Sequence, residues 1–127
     1  MKTYKPTQIL ISANAQDGLS EILADALMTA GFNSKIVGRH ENLLLELRAG
    51  YYSVVILTNN ALRPNEFAEF IPNIKKINPN IKIIVLSGWN QENLAERVLA
   101  CGAAYFFPLP IGLDILTNCI KDLTRLV

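Results

Sequence analysis

Along this chain, short apolar runs alternate with longer stretches in which apolar residues return every three or four positions. Those two periods separate strands from helices. "QILISA" (Gln8 to Ala13) predicts the first strand. From about Gly18 to Ala30, Leu19, Ile22, Leu23, Ala26 and Leu27 are spaced for one helical face, and Gly31 closes that helix. "SKIVGR" is a shorter, more polar strand, as expected nearer a sheet edge. "HENLLLELRAG" follows as a compact helix with Leu43, Leu44 and Leu47 inward and Gly50 at its end. "SVVIL" is more apolar and reads as a central strand covered on both faces.

The second half continues the alternation. "NEFAEFIPNIKKI" has helical spacing at Phe67, Phe70, Ile71 and Ile74, with Pro72 inside it. Proline deletes a backbone donor and crowds the preceding turn, so a kink or a restart at Pro72 is expected. "NPN" makes a turn and "IKIIVLS" (Ile81 to Ser87) is another buried strand. Asn90 is placed to cap the helix "QENLAERVLACG", which buries Leu94, Val98 and Cys101 before Gly102 stops it. "AAYFF" is the fifth strand, "PLP" breaks it, and "LDILTNCIKDLTRLV" is a final amphipathic helix.

This order is a strand–helix unit repeated five times, with connections suited to right-handed crossovers. The predicted class is α/β: a doubly wound, five-stranded parallel sheet with helices on both faces. The polar second strand suits an edge, which fits the flavodoxin-like order 2-1-3-4-5. In that order the functional crevice lies at the carboxyl ends of the first and third strands. Thr58, Asn59 and Asn60 follow the third strand there.

Composition narrows the function classes. Half of the residues are hydrophobic and 18% are charged, a globular balance, and 127 residues fit one domain of ordinary size. Twelve basic against eleven acidic residues leave a formal net charge of +1, which argues against nucleic acid or a polyacidic partner. No apolar run approaches the ~20 residues of a membrane span. "MKTYKPTQILISAN" lacks the long apolar region of a secretory signal, so a cytoplasmic location is expected. Cys101 and Cys119 fall on predicted helices without CxxC spacing and read as buried free thiols. Together with a single histidine they are too few for a zinc site. GxGxxG, P-loop and GxSxG motifs do not occur, which leaves dinucleotide, P-loop and hydrolase readings without support.

The stretch "SGWNQENLAERVLACGAAYFFPLP" (Ser87 to Pro110), set on five strand–helix units, resembles the CheY-like receiver domain of two-component response regulators. The similarity covers essentially the whole chain, as a single receiver-like domain over 1–127. Receivers carry a Ser or Thr closing the fourth strand, a helix ending in Ala-Gly-Ala, an aromatic in the fifth strand, and a Lys-Pro. Ser87 fits the hydroxyl, Cys101-Gly102-Ala103 the helix end, Phe106 the switch aromatic and Pro110 the proline. The resemblance also implies a cis peptide at Leu109-Pro110.

The chemistry implied by the family is phosphoryl transfer from a histidine kinase to an Asp ending the third strand. An acidic pair after the first strand holds Mg²⁺, and a Lys neutralises the phosphoryl oxygens. Here the nucleophile position falls on Thr58, and the acidic pair at about Ala13 and Asn14, with a register open by one residue. The lysine position is Leu109, so only the Ser87 hydroxyl remains of the reactive set. A neutral Thr58 with no base near it in sequence cannot match a carboxylate as acceptor. Asp17 is the one acid near the pocket in sequence, and it reads as a carboxylate opening the first helix at its positive dipole end.

Other polar signals have plain structural readings. His40 is a loop residue opening the second helix, without a constellation for metal binding or phosphotransfer. In "RPNE" (Arg63 to Glu66), Asn65 caps the third helix with Glu66 in its first turn. Trp89 sits in the loop after Ser87, either lidding the fourth helix or anchoring a partner. "SANAQDG" is a poor version of the phosphate loop with which flavodoxins hold FMN, and no cofactor or metal is expected.

The chain is therefore expected to be a non-enzymatic, degenerate pseudo-receiver acting as a protein-interaction module without phosphoryl transfer. The resemblance implies a signalling-protein partner, or a homodimer, on the surface of the fourth helix, fifth strand and fifth helix. That face would include Glu96, Arg97, Tyr105, Asp122 and Arg125, with Trp89 beside it. The alternative is a small-ligand binder using Asn14, Thr58, Asn59 and Ser87 as neutral hydrogen-bonding groups.

Overall fold

Each apolar run becomes a strand and each helical stretch a helix, in the order β1 (Gln8–Ser12), α1 (Leu19–Thr29), β2 (Asn33–Val37), α2 (His40–Ala49), β3 (Val54–Thr58), α3 (Pro64–Ile77), β4 (Lys82–Ser87), α4 (Leu94–Cys101), β5 (Tyr105–Pro108) and α5 (Leu113–Thr124). This computed structural model describes residues 8–12, 18–38, 40–50, 52–58, 64–88 and 93–124. Ala13, Asn14, Asp17, Asn59, Arg63, Trp89, Asn90 and Arg125 lie outside the described residues, as do the side chains of His40 and Asn65. The sheet is parallel throughout, in the order β2-β1-β3-β4-β5. The expected α/β class and strand order are both seen.

Side chains alternate across the pleat, so each central strand feeds two cores. Leu10, Val55, Leu57, Ile83 and Val85 pack under α2, α3 and α4, against Leu43, Leu47, Phe67, Ile71, Ile74, Leu94 and Val98. Ile9, Ile11, Val54, Ile56, Ile84 and Leu86 pack under α1 and α5, against Leu23, Leu27, Leu116 and Ile120. This two-sided burial is why β3 reads as an unbroken apolar run and is buried at every position. The edge strand β2 instead alternates between exposed and half-buried until Val37.

Two glycines end helices as expected. Gly31 sits at φ +95°, where the Gly31 N–H reaches the Met28 carbonyl at 3.0 Å and the Phe32 N–H reaches that of Leu27 at 2.8 Å. Gly102 sits at φ +122° with the same pair of bonds, from Gly102 to Leu99 and from Ala103 to Val98. Both turns satisfy carbonyls that the helix end would otherwise leave unpaired.

Several local expectations are corrected. Ile22 is 53% exposed, because the inward face of α1 is carried by Ser20, Leu23 and Leu27, one step round the helix. Pro72 does not restart α3: one helix runs through it from Pro64 to Ile77, and Phe67, Phe70, Ile71 and Ile74 stay buried on one face. Packing of that face outweighs the lost hydrogen bond. The helix placed after Asn90 begins only at Leu94, preceded by Asn93 in a left-handed conformation with no side-chain cap. The fifth strand starts at Tyr105 rather than Ala103 and includes Pro108, which an edge strand tolerates because one side of its backbone faces no partner. Cys101 and Cys119 are free but only half-buried, and they pack on opposite faces of the sheet.

Candidate functional site

At the carboxyl edge of the sheet three hydroxyl residues close three adjacent strands: Ser12 on β1, Thr58 on β3 and Ser87 on β4. All three are fully or almost fully buried. The alternation puts Thr58 in line with Val54 and Ile56, toward α1 and α5, while Ser12 and Ser87 fall on the opposite face. The Thr58 hydroxyl donates to the Ser12 backbone carbonyl at 2.9 Å. That bond ties the ends of β1 and β3 together and occupies the one proton Thr58 can offer. Among the described residues the Ser12 hydroxyl has no hydrogen-bond partner, although it is buried. An unpaired buried hydroxyl costs about 1–3 kcal/mol, so Ser12 is under-satisfied at this edge.

Leu109 joins the same edge from the turn after β5. Its N–H donates to the Ser87 carbonyl at 2.9 Å, and its side chain packs against the apolar cluster under α1 and α5. The following peptide bond, Leu109-Pro110, is cis. Phe106 packs partly buried against the opposite cluster, under α4. Thr58, Ser87, Leu109 and Pro110 are thus brought to one end of the sheet, and Phe106 lies on the last strand beside them.

Ser12 is the residue missed by reading the sequence. The resemblance points instead to the loop positions Ala13 and Asn14, where it places acids. The signal for Ser12 was present, however: "QILIS", "VVILT" and "KIIVLS" each end an apolar strand on a hydroxyl.

The donors described at this edge are neutral hydroxyls, with that of Thr58 committed to backbone and the aliphatic Leu109 side chain beside them. Hard divalent cations select carboxylates and other strongly charged oxygens, so these residues do not fit Mg²⁺. Nor is any group of three or more His, Cys, Asp or Glu arranged to hold a metal ion among the described residues.

A second region is the surface of α4, β5 and α5. Glu96, Arg97 and Asp122 are exposed there, with Leu99 at 45%, Tyr105 at 41% and Ile115 at 55% exposure. The Tyr105 ring stacks on Phe107, with centroids 5.8 Å apart and planes within 5°, which places an aromatic pair, its Tyr105 exposed, on the edge strand. At the other end of the sheet, Glu46 on α2 accepts a 2.6 Å hydrogen bond from the Tyr52 phenol and a 3.0 Å ion pair from Lys35 on β2. The Tyr52 bond, then Lys35, hold the Glu46 carboxyl below its usual range. Burial, then the hydrogen bond to Glu46, push the Tyr52 phenol up to about 12.

Comparison with known proteins points one way. No protein-family model matches the chain. It is 28% identical over 116 residues to the DNA-binding transcriptional regulator NtrC of Bradyrhizobium sp. (strain RP501 Parasponia), which covers 91% of this chain and 24% of that protein. The chain therefore spans about a quarter of that relative's length. Its backbone superposes on a response regulator from Thermotoga maritima with a TM-score of 0.82 at 20% identity, covering 94% of this chain and 98% of that one. A CheY-like response regulator receiver domain protein from Methanospirillum hungatei JF-1 gives 0.80 at 17% identity, covering 93% of each chain. The fold is that of CheY-like response-regulator receiver domains. No helix among the described residues is long and apolar enough to cross a membrane.

Proposed function

From a receiver fold whose reactive edge carries neutral groups, we propose that this chain is a pseudo-receiver, a two-component-type signalling module working by protein contact and not by phosphoryl transfer. The observation that carries this reading is the state of Thr58. It ends β3, where a receiver would present its acceptor carboxylate, and its hydroxyl is buried and donated to the Ser12 carbonyl. Leu109, at the position of the charge-neutralising lysine, is packed into the apolar cluster. A phosphoryl group placed there would meet no described cation and would lose its hydration without compensation. In this reading 1–127 is one receiver-like domain, and its working surface is the α4–β5–α5 face. Exposed Leu99, Tyr105 and Ile115 amid Glu96, Arg97 and Asp122 supply the mix of apolar anchor and charge that protein interfaces use. The small-ligand reading is weaker, because the hydroxyls of Thr58 and Ser87 are not open to a ligand.

The test is incubation with acetyl phosphate and Mg²⁺ followed by intact-mass measurement. The expected result is an unmodified chain. A stable phosphoryl adduct mapped to the carboxyl edge of the sheet would overturn the proposal.

A further inference from the structure

A groove of about 570 Å³ runs between α1 and α5, on the side of the sheet away from α2, α3 and α4. Its lining includes Ile22, Asp25, Leu113, Asp114, Thr117 and Lys121. Ile22 is 53% and Leu113 38% exposed, so apolar surface that a helix pair would ordinarily cover faces outward here. Both helices follow parallel strands and run in the same direction. Ile22, Leu113 and Asp114 therefore lie toward one end of the groove and Lys121 toward the other, about 10 Å further along α5. No ion pair engages Asp25, Asp114 or Lys121 among the described residues. The hydroxyls of Thr29 and Thr117 are bonded to carbonyls of their own helices, which leaves their methyls for packing.

We propose that this groove is a self-association face occupied by a second copy of the chain, with the two α5 helices antiparallel across a two-fold axis between Thr117 and Asn118. Asp114 and Lys121 are symmetric about that point in sequence. The antiparallel arrangement thus sets Lys121 of each protomer against the partner's Asp114 and the partner's Asp25, twice over. A parallel arrangement would pair like with like. Helix dipoles oppose each other favourably in the same geometry. A two-fold contact needs a self-complementary patch, and this charge pattern is one. The proposal does not use the α4–β5–α5 face, which stays free for a signalling partner.

The experiment is sedimentation of the whole chain across a concentration series at low and high salt, with Lys121→Asp, with Asp25→Lys/Asp114→Lys, and with the two variants mixed. All three positions are exposed, so the fold is expected to survive, as thermal melts of each variant will check. Wild type is expected to dimerise, more weakly as salt screens the contacts. Each variant alone is expected to lose roughly tenfold or more in dimer affinity, as two symmetric sets of attractive pairs become repulsive. The mixture is expected to restore association, because opposite charges then meet across the axis. A chain that stays monomeric at low salt overturns the proposal. So does a dimer indifferent to both variants, or one that mixing fails to rescue. Tyr105→Glu serves as control: if it abolishes the dimer while Lys121→Asp does not, self-association belongs to the α4–β5–α5 face instead.

Discussion

Replacing Thr58 offers the sharpest check on the site, because one side chain carries both its packing and its one described hydrogen bond. Thr58→Val keeps the shape and removes the donor to the Ser12 carbonyl. A buried intramolecular hydrogen bond is worth about 1 kcal/mol net, and the new methyl recovers only part of that. A domain of this size has a urea slope of ~1–3 kcal/mol per molar, so the unfolding midpoint is expected to fall by roughly 0.5 M without a change in slope. Thr58→Asp is expected to cost several kcal/mol at neutral pH, since the position is fully buried and no described cation faces it. Burial would raise the folded-state pKa of that new carboxyl above its unfolded value. The variant should therefore be least destabilised under acid and lose stability as pH rises through the raised pKa, whereas Thr58→Val should cost the same at every pH. Urea titrations of both variants from mildly acidic to neutral pH measure this. A Val variant as stable as wild type would show that the bond to Ser12 contributes nothing. An Asp variant tolerated within ~1 kcal/mol at neutral pH would show a hydrated or cationic pocket and defeat the reading of a sealed neutral edge.

Ser12→Ala removes a buried hydroxyl that has no partner among the described residues, so stability is expected to rise by up to ~1 kcal/mol; a clear loss in the same urea assay would mean that the hydroxyl is satisfied. Absorbance titration of the tyrosines should show one phenol ionising near pH 12, and Tyr52→Phe should remove it. Because that pKa is raised on folding, the associated stability is complete below the ordinary tyrosine value of 10.0 and is lost as pH climbs toward 12. Glu46→Gln should lower the Tyr52 midpoint only in part, since burial is the larger cause; a full return to the ordinary value would assign the shift to Glu46 alone.

The hydropathy pattern contained most of the fold. Val54 to Leu57 could be assigned to the sheet centre because a strand covered on both faces has no position left for a polar residue. Gly31 and Gly102 marked helix ends because only glycine enters the positive-φ turn cheaply. The uncharged character of Thr58 and Leu109 was equally plain, since residue type alone says whether a charge is there. Spatial partnership was not legible. That the Thr58 proton goes to a carbonyl 46 positions away follows from the pairing of β1 with β3, which no local pattern contains. Ile22 faces outward because Leu23 and Leu27 dock on the sheet, and only one of two adjacent apolar stripes on α1 can be buried there. Pro72 stayed inside α3 because four buried apolar side chains on one face outweigh one missing backbone bond. Local chemistry sets the turns, the periods and the charges. Which groups meet, and which face water, is decided only when the strands pair and the helices compete for the same core.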